Sequence, residues 1–259
     1  MHPRGGFGRR LGMGRLLAFL PLLLAGVLPA RATPLADALA AEARLDSRAA
    51  LAGFLAAAQA APNDAFILQK IARQYSDLVV DQTTDEDRRR YAAAALAYAE
   101  RAVALEPGNA VNVLSLAVAR GKLATYSDTR EKVRLSRQIR ADAERALALA
   151  PDYAWAHHVL GRWHYEVAEL GATARLWVRL FYGGLPPASR TEAVVHLERA
   201  TQLEPDELNH WLDLGFAYAA AGDATRARAA WAHGLAMPPR ARHDAPAQQR
   251  ARAALAKLP

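Results

Sequence analysis

Apolar side chains return along the chain at intervals of three and four, the spacing that gathers them on one face of an α-helix. Ala50, Phe54 and Ala57 form one such stripe, and Leu68, Ile71, Ala72 and Tyr75 the next. Ala95, Ala99 and Ala102 follow, then Val113, Leu116 and Ala117, then Ala143 and Ala146. Leu160, Gly161 and His164 precede a last early stripe of Ala193, Leu197 and Ala200. Pro62, Pro107, Pro151, Pro205 and Pro239 close alternate stripes. A proline has no N–H to continue a helix, so each marks the end of a pair. Runs of Val, Ile and Thr that would favour strands are nearly absent. The pattern predicts paired helices and an all-α fold.

The clearest pair runs from Leu208 to Pro239. Trp211, Leu214, Gly215 and Tyr218 lie on its first helix, Gly222 and Asp223 in a turn, and Ala227 and Trp231 on its second. This is W-x2-L-G-x2-Y followed by A-x3-aromatic and Pro, the tetratricopeptide pattern on a frame of about 34 residues. Gly215 has no side chain, so the second helix can approach it closely. The expected fold is a tetratricopeptide-like right-handed superhelix of stacked helix hairpins, with long insertions inside repeats and a C-terminal capping helix. The units fall at about 35–62, 63–107, 108–151, 152–205 and 206–239, with the cap at 240–259. Thr83-x-x-Glu86 and Ser189-x-x-Glu192 read as capping boxes that restart second helices after insertions. The longest insertion, "GATARLWVRLFYGGLPPAS", puts Leu176, Trp177, Leu180 and Phe181 on one helical face beside Arg175 and Arg179. A lid, a membrane contact over 172–182 and a core-filling helix all fit that face.

Residues 1–32 stand apart. Four arginines precede "LLAFLPLLLAGVLP", and "ARA" precedes Thr33, which is the layout of a secretory signal peptide cleaved after about Ala32. The apolar run is shorter than the ~20 residues a bilayer core requires, although an N-terminal anchor is the alternative. The expected compartment is the periplasm or the exterior. This leader also changes the charge reading. It holds five of the 33 basic residues and none of the 26 acidic ones, so the remainder carries 28 against 26, about +2. The basic balance is largely an export feature and gives little reason to expect nucleic acid. There is no cysteine, hence no disulfide framework and no thiol chemistry.

"HHVLGRWHYEVAELG", residues 157–171, packs histidines, aromatics and carboxylates into fifteen positions. In the repeat frame Leu160 and Gly161 hold the L-G slots, and His157 and His164 take the slots of Trp211 and Tyr218. Packing is therefore their expected role. No H-E-x-x-H spacing and no cysteine pair brings a third ligand to them, so no metal site is read here. No catalytic motif is found either: G-x-S-x-G and a Gly-rich phosphate loop are absent, and no cofactor is expected.

The concave groove of this repeat class is lined by first-helix positions 2, 5, 9, 12 and 13. Counting them gives Phe66, Gln69, Arg73, Ser76 and Asp77, then Val111, Leu114, Val118 and Lys122. The third unit gives Trp155, His158, Arg162, Tyr165 and Glu166, and the fourth Asn209, Leu212 and Phe216. Arg73, Lys122 and Arg162 are placed to meet a carboxylate or phosphate. The competing reading pairs Arg162 internally with Glu166, four residues on.

Leu160, Gly161, Arg162, Trp163, Tyr165, Val167 and Ala168, with Pro186, Pro187 and Ser189 after the insertion, resemble the regulator of microtubule dynamics proteins. The resemblance extends over roughly residues 35–240. It implies a non-catalytic tetratricopeptide-like domain, microtubule association in eukaryotic members, and phospholipid binding or transfer in the groove of a membrane-tethering member. The function expected first is a binding scaffold that holds a protein or peptide partner in the bacterial envelope. A lipid-binding or lipid-transfer module is the alternative.

Overall fold

In the computed structural model the described residues are 33–258. The leader expected at residues 1–32 lies outside them. The described residues form twelve α-helices and a short 3-10 turn, with no strand among them. The first pairs are α1 (Pro34–Ala43) with α2 (Ser47–Ala60), α3 (Ala65–Leu78) with α4 (Asp85–Leu105), and α5 (Ala110–Thr125) with α6 (Thr129–Leu149). Then come α7 (Ala154–Ala168), α8 (Ala172–Tyr182) and α9 (Arg190–Leu203), followed by α10 (Leu208–Ala220), α11 (Ala224–Ala236) and α12 (Asp244–Leu255). α8 is the insertion; α7 pairs with α9 across it.

Short polar side chains start most of these helices. Asp46, Asp64, Asn109, Asp128, Ser189 and Asp223 each accept a hydrogen bond from a backbone N–H of the first turn. The cap expected at Thr83 sits one residue later. Thr84 accepts from Asp87 N–H at 3.0 Å and donates its hydroxyl to the Asp87 carboxylate at 2.9 Å. Both threonines have an acid three residues on, so the sequence pattern is degenerate by one step. The insertions of the second and third units lengthen α4 and α6 to 21 residues each, against 13 in α11.

The hairpins nest at small residues. A Cβ added to Gly161 would stand 2.7 Å from Leu197 Cγ, and one added to Gly215 would enter the indole of Trp231. Trp231 is buried, and its N–H donates to the Leu212 carbonyl at 3.0 Å, so the large ring costs no unpaired donor. The closing prolines are also tied in. Arg101 and Arg145 donate to the carbonyls of Pro62 and Pro107, and Trp211 to that of Pro205. Each of these side chains fixes the junction between two hairpins.

α8 is not a core helix. None of its residues is buried, and Leu176, Trp177, Leu180 and Phe181 are each more than half exposed. Its attachment is polar: Arg137 on α6 donates to the carbonyls of Tyr182 and Gly184, capping its C-terminal end.

Candidate functional site

First-helix positions 2 and 9 do reach the surface. Phe66, Arg73, Val111, Val118 and Arg162 are exposed, while Trp155, Asn209 and Phe216 are partly so. Position 5 does not line a groove, which corrects three expectations. Leu114, His158 and Leu212 are buried. Consecutive first helices meet at this position, whereas Leu212 packs on Gly234 of its own second helix. Gln69 on α3 donates to Ser115 on α5 at 3.1 Å, and His158 on α7 meets His210 on α10, Nδ1 to Nδ1, at 3.0 Å. Ser76, at position 12, is buried as well.

Arg162 is internally paired. It lies 2.7 Å from Glu166 and 3.5 Å from Asp213, and the same Asp213 oxygen stands 3.2 Å from His158 Nε2. Burial alone would push the Asp213 carboxyl up, but the Arg162 charge, the His158 contact and the Arg250 charge outweigh it and hold it at about 2. In return the Asp213 charge, with Glu166 behind it, raises Arg162 above its ordinary value. Asp213 is therefore a partly buried anchor that stays charged at neutral pH. Motif counting missed it, because it falls between groove positions.

Around this anchor is a cavity of about 140 Å³ lined by Arg162, Tyr165, Leu197, Asp213, Phe216 and Arg250. Tyr165 and Phe216 face each other across it, ring centroids 6.4 Å apart. Arg250 comes from α12, which packs on α10 and α11 through Ala247 and Ala251. The loop before α12 reaches much further. Arg242 pairs with Asp81, and His243 Nε2 lies 3.1 Å from Asp77 on α3. The cap thus folds back over the groove to the second hairpin.

Lys122 stands under this bridge. Burial pushes its ammonium below the usual lysine range; Asp77 opposes the shift, and Arg162 and Arg250 add to it. Three cations, Lys122, Arg162 and Arg250, therefore feel one another in a part-desolvated space. Among the described residues, neither Lys122 nor Arg250 forms an ion pair. Arg73 lies farther along, half exposed and 3.9 Å from Glu42. Of the three cations expected to meet an anion, Arg162 is spoken for, and Lys122 has the Asp77 charge opposing it but no ion pair. Arg250 takes the third place.

Asn209 is structural. Its amide donates to Glu207 and to Asp244, both at 2.8 Å, linking α10 to the start of α12. Trp155 packs against the rings of His158 and His210. Phe66 carries the Lys70 ammonium over its face.

This fold and this groove set the chain among known proteins. Residues 34–259 match the family described as Regulator of microtubule dynamics protein 1-3. The chain belongs to that family. It is 28% identical over 138 residues to Regulator of microtubule dynamics protein 3 of Xenopus laevis, covering 53% of this chain and 30% of the relative. It is 27% identical over 144 residues to Regulator of microtubule dynamics protein 1 of Bos taurus, covering 55% and 45%. The match thus spans less than half the length of either relative. Among solved structures, a thermophilic TPR protein of Thermus thermophilus superposes with a TM-score of 0.65 at 23% identity, covering 86% of this chain and 97% of that one. That likeness concerns the fold: stacked tetratricopeptide hairpins.

Proposed function

We propose that this family member is a non-catalytic scaffold that holds a protein or peptide partner through an acidic group in the bridged groove. The observation that carries the reading is the cluster of Lys122 and Arg250 beside the Arg162–Asp213 pair. Like charges brought together in a part-desolvated space raise one another's cost, and an incoming carboxylate relieves it. The Tyr165–Phe216 cleft next to them offers apolar walls for a neighbouring side chain. A stack of hairpins supplies such a surface without catalytic groups. The leader pattern at residues 1–32 supports action in the bacterial envelope, which cell fractionation tests directly.

The experiment is fluorescence binding of the full chain to a library of short peptides that differ in C-terminal and side-chain carboxylates. Selection of acidic peptides, lost in Arg250→Glu and Lys122→Glu with the helical circular dichroism unchanged, is the expected result. Equal capture of amidated and acidic peptides sinks the reading.

A second reading, lipid handling at a membrane surface, is favoured by α8. Its exposed Leu176, Trp177, Leu180 and Phe181, flanked by Arg175 and Arg179, have the composition of a helix that lies in a lipid interface. Sedimentation with vesicles of phosphatidylcholine and phosphatidylserine, together with native mass spectrometry for co-purified phospholipid, separates it from the first.

A further inference from the structure

The histidines that face α9 carry a second chemistry. On α7, His157, Gly161 and His164 share one face, and Gly161 lets α9 come within van der Waals distance. A Cβ there would stand 3.2 Å from both the Ala193 carbonyl oxygen and His196 Cβ. This close approach inserts His196 between the two α7 rings, with centroid separations of 5.2 Å to His157 and 5.9 Å to His164.

The hydrogen bonds fix the tautomers. His157 Nε2 lies 3.0 Å from the Pro151 carbonyl oxygen. One repeat later Trp211 makes the equivalent bond to Pro205 at 2.8 Å, and an indole can only donate. His157 therefore carries its proton on Nε2 and offers a lone pair at Nδ1. His196 Nδ1, 2.9 Å away, must be the donor to it. That leaves a lone pair on His196 Nε2, which faces a Glu192 carboxylate oxygen at 4.0 Å. Two acceptors confront each other. A nitrogen of His164 completes the group, and the three donor atoms all lie within 4.8 Å of one another. His164 Nδ1 accepts a long bond from the Ser189 N–H at 3.4 Å, so the proton sits on Nε2, and ligation by His164 releases either that proton or that bond.

The last repeat has a different set of side chains at these positions. There the matching slots hold Trp211, Tyr218, Arg226 and Ala230, and Arg226 lies over the Tyr218 ring at 4.5 Å. In the α7–α9 unit the same slots hold His157, His164, Glu192 and His196. A packed aromatic with a cation over it is replaced by two imidazole nitrogens and a carboxylate. Packing alone does not require that change of charge.

We propose that His164, Glu192 and His196 form a binding site for a single divalent transition ion of the zinc class, with His157 orienting His196. Two imidazoles and one carboxylate are a donor set suited to such ions. The His196–His157–Pro151 chain is the outer-shell hydrogen bonding that fixes a ligating imidazole. Donors of a bound zinc stand closer together than the group does now, at Zn–N distances of about 2.0–2.1 Å. The Glu192 side chain is about half exposed and can close that gap by rotation, with water completing the coordination. Arg140, whose charge reaches His164, is already paired with Glu144 at 2.7 Å.

The test uses the untagged full chain, stripped with a chelator and titrated with zinc chloride by calorimetry. One ion per chain is expected, with affinity reduced at least about tenfold in Glu192→Gln and in His196→Ala. His233→Ala, a variant away from the site, should bind like the wild type. Cobalt chloride should give the strong visible absorption of a four- or five-coordinate site, lost in both site variants. Because His196→Ala also removes a packed ring, its circular dichroism and melting without metal are measured alongside; Glu192 is exposed enough for its variant to stay folded. No zinc binding by the wild type overturns the proposal. So does binding that Glu192→Gln and His196→Ala leave unchanged.

Discussion

Arg242 forms an ion pair with Asp81, although 161 residues of chain separate them. His243 repeats the link to Asp77, so the turn before α12 clasps the second hairpin. Both pairs are partly exposed, and each is worth at most about 1 kcal/mol. Arg242→Ala combined with His243→Ala should therefore leave the helical content intact, because Ala247 and Ala251 still seat α12 on the preceding hairpin. Hydrogen exchange over residues 240–243 should speed up markedly, and in the wild type it should also rise with salt. Unchanged exchange there would mean that the loop is held by the Asp244 carboxylate, which accepts from the Arg240 and Ala241 N–H groups at 2.7 Å, and not by the two ion pairs.

The nesting of hairpins at glycine makes a sharper demand. Gly215→Leu drives a side chain into the Trp231 indole and should lower stability by about 1–3 kcal/mol or more. Gly108 has no atom within 4 Å of where its Cβ would stand. Gly108→Ala should melt within about 0.5 kcal/mol of the wild type. Urea titration of the pair checks both, and equal midpoints would contradict the nesting.

These contrasts mark what is legible in the chain. Gly161, Gly215 and Trp231 could be read because their packing is local, set by spacing along two adjacent helices. Exposure at the counted positions followed that same spacing, as at Val111 and Arg162. Counting positions failed at Leu114 and His158, because consecutive first helices pack against each other, and at Leu212, which packs on Gly234 of its own hairpin. Asp213, Arg250 and His196 left no motif. Asp213 gains its meaning from Arg162 and His158, 51 and 55 residues away in sequence, and Arg250 from the fold-back of α12. His196 meets His157 only because α8 loops out between their helices. The register slip from Thr83 to Thr84 has a humbler origin, two adjacent hydroxyls with equal claims.

α8 should prove thermodynamically dispensable. Trp177 and Phe181 stack on each other at 4.5 Å without burying either ring. Leu180→Asp with Phe181→Asp should leave the melting temperature unchanged within about 1 °C, since exposed substitutions away from caps and cores cost little. Leu197→Asp, which buries a carboxylate between α7 and α9, should unfold the protein or lower its stability by several kcal/mol. If the α8 pair also destabilises, that face is covered in solution by something that the described residues do not include.

Acid should loosen the α7–α10 contact. His210 is fully buried, and its pKa is drawn down to about 3 by burial and by the adjacent His158, against the opposing charge of Asp213. Glu204 faces its other nitrogen at 3.6 Å, and Trp155 covers the ring. In the unfolded chain the same imidazole titrates near ~6.5. Between those values the unfolded state binds the extra proton, so stability is full above about pH 6.5 and falls as pH drops toward 3. The slope due to this one group is at most about 1.4 kcal/mol per pH unit. Below about pH 4 Asp213 adds to the loss, because its folded pKa of about 2 lies under the unfolded value near ~3.9. Urea midpoints measured from pH 7 to pH 4.5 should therefore decline in the wild type. His210→Asn should start lower, through lost packing, and decline less steeply by about one proton's worth. Parallel slopes in the two proteins would mean that His210 is already protonated in the folded state, with Glu204 or Asp213 as its counter-ion.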